Sequence, residues 1–402
     1  MDNEVTAEEV TDDEVTDDEA ALRERALTVL ADNWVADSGW TVPNPDSYPH
    51  LWLWDSAFHA IARARFGDPD AVPEVTALLG GQLAEGMVPH MRYGPAGPDT
   101  FLGPLPDRSS LTQPPFFSHA LAELQRAGIE TPAALAERAV RHFDWLWRHR
   151  LVTDLGLLAI VHPWEAGNDH SPRFDGWGAP GRTPADYDQR VRSQWNKELM
   201  ASVRFAPDGA AVDNDRFRCA PAGFNAYVAF NLRELGQLLG RADLTERADR
   251  LAAAIDDRLW QDGQWVDLPL TGGTRASAAI RISDGLMPAL VTADRDRAEW
   301  ALAALGDPQL FGGTAYGPTN VARNDPAYDP TAYWRGAAWP NLNYLFWLAA
   351  RRWGRTDLAA ELARSTRAGA VASDWSEYWN PETGQGYGAS PQSWTALAAL
   401  LG

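Results

Sequence analysis

The sequence predicts an all-α fold, an (α/α)6 barrel of about six helical hairpins, from three observations. Apolar residues recur at i, i+3, i+4 spacing along most of the chain, and hardly any stretch alternates with the period of a strand. Short polar links join neighbouring helical stretches in pairs, as in Gly240-Arg241-Ala242-Asp243 and Gly354-Arg355-Thr356-Asp357. Long segments rich in Gly, Pro, Trp and Asp separate the pairs, over 37–55, 85–114, 162–196, 260–285 and 308–338. Long ordered loops of this kind are usually functional, and one mouth of a helical ring is where they gather.

Taken in order, the periodicity places helices over 21–35, 56–66, 72–83, 115–127, 132–148, 224–239, 244–259, 294–305, 339–353, 358–370 and 394–400. Asp70, Thr131 and Asp243 stand where N-caps belong, and Gly128, Gly240, Gly306 and Gly354 where helices stop. Residues 265–270 form the best strand candidate. Residues 1–19 repeat a Glu-Val-Thr-Asp-Asp-Glu pattern whose like charges repel, so an acidic disordered leader, or a frayed helix start, is expected before one domain over 20–402.

Composition narrows the function. The formal charge of −20 argues against nucleic acid or an anionic membrane as a partner, while a homo-oligomer stays open. No run of about 18 apolar residues offers a membrane span, and the acidic start is unlike a secretory signal. Cys219 is the only cysteine, so a cytoplasmic protein without disulfides is expected. The histidines lack metal-ligand spacing, and neither a phosphate-cradling glycine loop nor a Gly-x-Ser-x-Gly elbow occurs, so no metal and no cofactor is expected.

The 19 tryptophans point elsewhere, because many sit in loops beside turn formers, where flat rings suit the apolar C–H faces of sugars. Two of those loops carry carboxylates that helix packing does not require. One is Trp164-Glu165-Ala166-Gly167-Asn168-Asp169-His170-Ser171-Pro172, the other Glu377-Tyr378-Trp379-Asn380-Pro381. A pair of opposed carboxylates in aromatic walls is what glycosidic hydrolysis needs: one gives a proton to the leaving oxygen, the other activates water. Asp169 is the acid candidate, with Trp164 and Trp177 to lower the polarity around it, and Glu165 is its rival. Glu377 is the base candidate, ahead of Glu382 in the turn that follows.

Asp55, in Leu51-Trp52-Leu53-Trp54-Asp55-Ser56-Ala57-Phe58, can N-cap the second helix or bind sugar hydroxyls. Tyr333-Trp334-Arg335-Gly336-Ala337-Ala338-Trp339 opens a helix with a polar-aromatic run that reads as a pocket wall. Tyr93 and Gln113 follow Gly86-Met87-Val88-Pro89-His90 and lie within Thr112-Gln113-Pro114-Pro115, at the same mouth. A sugar epimerase on the same barrel would use histidine pairs. His59, His90, His119 and His170 sit in poorer loop contexts than the carboxylates. A catalytically dead sugar-binding protein would need no opposed acid and base.

In their order, these stretches resemble glycoside hydrolase family sixty-three, over residues 48–394. The short members with which the likeness is greatest hydrolyse mannosylglycerate or glucosylglycerate with inversion. The resemblance implies that Asp169 is the acid and Glu377 the base. It implies a sugar subsite of Trp54, Asp55, Tyr333, Trp334 and Trp339. Glycerate would fall to Tyr93, Gln113, Arg204 and Gln392, with Tyr48 in a loop closing over the site. A carboxylate in the substrate calls for a local donor, since a chain at −20 repels anions at long range. A neutral disaccharide, as for a trehalase-like or α-glucosidase member, is the other reading.

Overall fold

The computed structural model describes residues 12–95, 97–98, 102–177, 186–273 and 281–402, with side chains from Asp18 onward. Eleven helices dominate the described residues: α1 (Asp12–Asp32), α2 (Leu53–Phe66), α3 (Ala71–Gly80), α4 (Phe117–Arg126), α5 (Ala133–His149), α6 (Gln189–Leu199), α7 (Ala222–Leu239), α8 (Ala242–Arg258), α9 (Arg295–Gly306), α10 (Pro340–Arg352) and α11 (Thr356–Ala372). Two 3-10 segments, Ser283–Leu290 and Ser393–Leu400, take helical places among them.

Six elements pack in a closed ring, each on the next: α2, α4, α7, Ser283–Leu290, α10, Ser393–Leu400 and back to α2. A second layer surrounds it. There α3 lies on α2, α5 against α3, α4 and α7, α8 on α7, α9 on Ser283–Leu290, α11 on α10, and α1 on Ser393–Leu400. Burial follows this division. In α2 every residue from Leu53 to Ala64 is buried, whereas α8 buries Leu244, Ala248, Leu251, Ala252 and Ile255. The first is the signature of an element enclosed on all sides, the second of one stripe laid against a core.

The periodic segments of the sequence recur as these helices, with ends moved by a few residues. Residues 1–11 of the acidic leader lie outside the described residues, and from Asp12 the chain is already helical. The expected caps are not the ones used: no side chain caps α3, α5 or α8. Asp188 and Asp294 do cap, each accepting two backbone N–H groups at the start of α6 and α9. Asp243 instead bonds Arg241 across two residues.

The largest departure is α6, most of which lies inside the 162–196 loop of the sequence reading. Its buried positions, Arg192, Trp195, Asn196 and Leu199, have helical spacing, but two of the four are polar. A search for apolar periodicity passes over such a helix. Short antiparallel ribbons fill the loops; Leu268–Thr271 pairs with Arg218–Ala220, and Trp265 faces Trp260 in a separate ribbon. No helix among the described residues is long and apolar enough to cross a membrane.

Candidate active site

The segments entering the inner ring supply one cavity of about 230 Å³, lined by sixteen residues drawn from 43–55, 113, 164–170, 189–193, 333, 377 and 392–394. Asp169, Glu377 and Asp55 face it together with Tyr48, Trp52, Trp54, Trp164, Tyr333 and Trp394.

The Asp169 loop is built from its backbone outward. His162 accepts the Trp164 N–H and starts the turn Pro163–Ala166. Gly167 follows at φ 84°, and a Cβ there would sit 2.5 Å from the Trp54 ring, so only glycine lets that indole seat against the loop. Buried guanidinium groups then clamp the backbone. Arg192 donates to the carbonyls of Asp169 (3.1 Å) and Ser171 (3.3 Å), and Arg335 to that of His170 (3.2 Å). Asp175 pairs with both arginines, which keeps their buried charges compensated. On the acid itself, Trp164 Nε1 (3.0 Å) and Asn196 Nδ2 (3.1 Å) donate to Oδ2, and His170 Nε2 lies 3.3 Å from the same oxygen. Burial raises the Asp169 carboxyl to about 6, against the lowering influence of Arg192.

Glu377 stands in the loop after α11. Tyr48 Oη donates toward both of its oxygens (3.3 and 3.2 Å), and the Ala389 N–H donates to Oε2 (3.1 Å). Gly388, at φ 74°, brings the backbone so close that a Cβ would collide with Oε2. Burial raises Glu377 to about 7, opposed by those donors. Asp55 is raised to about 8, again chiefly by burial. Gln392 Nε2 donates to it (3.3 Å), and the Trp394 N–H holds the amide by its Oε1 (2.8 Å).

The other expectations divide. Gln113 and Gln392 line the cavity with Tyr48, Trp54, Asp55, Trp164 and Tyr333. Asp55 does not cap α2, whose N-cap position, Trp52, makes no side-chain capping bond. Trp334 and Trp339 do not line the cavity: both are fully enclosed and stacked on each other at 3.4 Å, Trp334 beside the Trp54 ring and Trp339 against Tyr378. Tyr93 is also off the cavity; its hydroxyl accepts the Leu102 N–H (3.1 Å). Arg204 is the clearest correction. It sits opposite Asp213 in a two-stranded ribbon, and its half-exposed guanidinium binds Asp213 and Asp215 instead of pointing inward.

Both rival carboxylates have other work. Glu165 is buried against Arg150, with two contacts of 2.6 Å. Glu382 is exposed and pairs with Arg323. The sequence reading did not place Trp52, Trp394, Gln189 or Ser193 at the site. The last two stand one turn apart on α6, the helix it read as loop. His170, considered there only as an epimerase base, lines the cavity as a neutral ring, since burial and two nearby arginines lower its pKa. No lysine or arginine lines the cavity among the described residues.

A helix-rich ring with buried carboxylates in an aromatic cavity at its mouth is the arrangement of a glycoside hydrolase. The chain belongs to the family described as mannosylglycerate hydrolase MGH1-like glycoside hydrolase domain, whose profile matches residues 48–395. It is 29% identical to a mannosylglycerate hydrolase of Rubrobacter radiotolerans, over 92% of this chain and 94% of that one. It is 30% identical to a glucosylglycerate hydrolase of Mycolicibacterium hassiacum, over 90% and 93% respectively. Its structure superposes on that of a family sixty-three mannosylglycerate hydrolase from Thermus thermophilus, in complex with Tris and D-glycerate, with a TM-score of 0.77. That match has 27% identity and covers 94% of this chain and 99% of the other.

Proposed function

We propose that the protein is an inverting α-glycosidase that hydrolyses glucosylglycerate or mannosylglycerate to free hexose and glycerate. The observation that carries this reading is the unequal hydrogen bonding of two buried carboxylates in one aromatic cavity. The Ala389 N–H and the hydroxyls of Tyr48 and Tyr333 all donate to Glu377, which favours its ionised form. Side-chain donors reach only Oδ2 of Asp169, so Oδ1 can carry a proton while those bonds persist. The order of the raised pKa values, about 6 for Asp169 and about 7 for Glu377, would alone reverse the roles. The donors decide the roles instead, because they leave Oδ1 of Asp169 open to a proton.

In this reading Asp169 Oδ1–H gives its proton to the glycosidic oxygen as the C1–O bond breaks. Glu377 takes a proton from water, whose oxygen bonds C1 from the opposite face. One water is consumed, and the proton gained by Glu377 returns to Asp169 through solvent. Asp55, protonated near neutral pH, serves as a donor to a sugar hydroxyl. The closed ring of six elements inside a second layer supports reading the architecture as an (α/α)6 barrel, with the cavity at its loop-bearing mouth.

The names of the relatives support glycerate as the aglycone. Its carboxylate would then meet the neutral donors Gln113, Gln189 and Ser193, since Arg204 is turned away. The lack of a lining cation among the described residues favours a second reading, a neutral disaccharide as substrate. Purified protein tested on glucosylglycerate, mannosylglycerate, trehalose and kojibiose separates the two. NMR should show the β-anomer of the hexose as the first product; initial α-anomer would exclude inversion.

A further inference from the structure

The far end of the inner ring holds a second hollow, of about 590 Å³, larger than the catalytic cavity. The C-terminal ends of α2, α4, α7 and α10 converge on it, opposite to the ends that carry Trp54, Asp55 and Gln113. In a chain of net charge −20 its lining is basic, with five arginines and two glutamates.

The glutamates are already taken. Glu123 meets Arg65 (3.4 Å) and Arg126 (2.7 Å), and Glu234 meets Arg126 (2.7 Å) and His119 (3.1 Å). Arg233 pairs with Asp249 (2.8 Å), outside the lining. Arg351 and Arg352 meet no carboxylate among the described residues. Cations at helix C-termini offset the partial negative charge of the helix dipole, which is reason enough for some of them. Arg352 fits that account, because it donates to the carbonyls of Leu290 and Thr292. Arg351 does not: its guanidinium lies over the Trp347 ring at 4.4 Å, with no carbonyl or carboxylate partner among the described residues. Nor do helix ends require a hollow of this size.

We propose that this hollow is a second binding site, for a small phosphate-bearing anion, independent of the hydrolytic reading. Guanidinium forks match phosphate oxygens two at a time, and phosphate offers enough acceptors for two adjacent arginines. Since the net charge of the protein repels anions at a distance, affinity must come from such close contacts. The electrostatics agree. Desolvation and the neighbouring Arg233 lower Arg352 to about 10, although Asp249 opposes them.

Isothermal titration of the full chain with inorganic phosphate and with glucose 6-phosphate, ionic strength held constant with KCl, tests the site. Saturable binding of at least one is expected, and the tighter of the two tells a free anion from a phosphoester. Arg351→Glu, which breaks no hydrogen bond of the fold, should weaken binding at least tenfold. Arg352→Gln should weaken it as well, with unfolding curves to show that the variant is folded. Glu377→Gln should bind unchanged, because it lies in the other cavity. The proposal is overturned if neither probe saturates, if Arg351→Glu binds like the parent, or if Glu377→Gln abolishes binding.

Discussion

Three carboxylic acids share one small, largely enclosed space, and the consequences are those of desolvation. Asp169, Glu377 and Asp55 are raised to about 6, 7 and 8 because each charged form has lost water that no nearby cation fully replaces. In the proposed mechanism turnover requires Asp169 protonated and Glu377 ionised. Rate against pH should therefore be a narrow bell with its maximum between about 6 and 7, falling in acid as Glu377 gains a proton and in alkali as Asp169 loses one. A broad plateau from pH 5 to pH 9 would exclude this pairing. Asp169→Asn should slow hydrolysis of the natural glycoside by about 10²–10⁴. It should cost much less with a dinitrophenyl glycoside, whose leaving group needs no proton. Glu377→Gln should be slow on both. Arg204→Ala, by contrast, should leave kcat/KM within about twofold, since its charge is spent on two surface aspartates.

Position in the catalytic cavity is a property of elements. The Asp169 loop keeps its shape through Arg192 and Arg335, and both depend on Asp175. Asp175→Asn removes the carboxylate that both buried guanidinium groups share, which should cost about 3–5 kcal/mol in denaturant unfolding. The same variant should raise KM and lower kcat, because the loop carbonyls that hold Asp169 lose their clamp. Unchanged stability would mean that water already compensates the arginines. These elements were legible in different degrees. Tryptophan-rich loops with isolated acids pointed to Asp169, Glu377 and Asp55, since packing gives no reason for such residues there. Gln189 and Ser193 stayed hidden, because α6 buries Arg192 and Asn196 where a search expects leucines.

At the scale of the whole molecule, the same carboxyls tie stability to pH. A group whose folded pKa lies above its unfolded value binds its proton more tightly in the folded state, so its contribution to stability is lost as pH rises through the folded value. For Asp55 that window runs from 3.8 to about 8. Asp55→Asn removes the dependence, so its melting temperature relative to the parent should rise between pH 5 and pH 8. A difference that stays flat over that range would show that Asp55 is ionised throughout. The burial that makes the site reactive also makes the fold less stable in alkali.

Sequence alone determined most of the helices of this protein and the loops that carry its acids, because period, turn chemistry and misplaced carboxylates are local properties. Only the tertiary structure decided which residues meet. Trp339 shares its stretch with Tyr333, yet close packing encloses it, and a ribbon register turns Arg204, which no motif marks, to Asp213. The basic hollow has no sequence signature either, since its arginines come from four helices and are neighbours only once the ring closes.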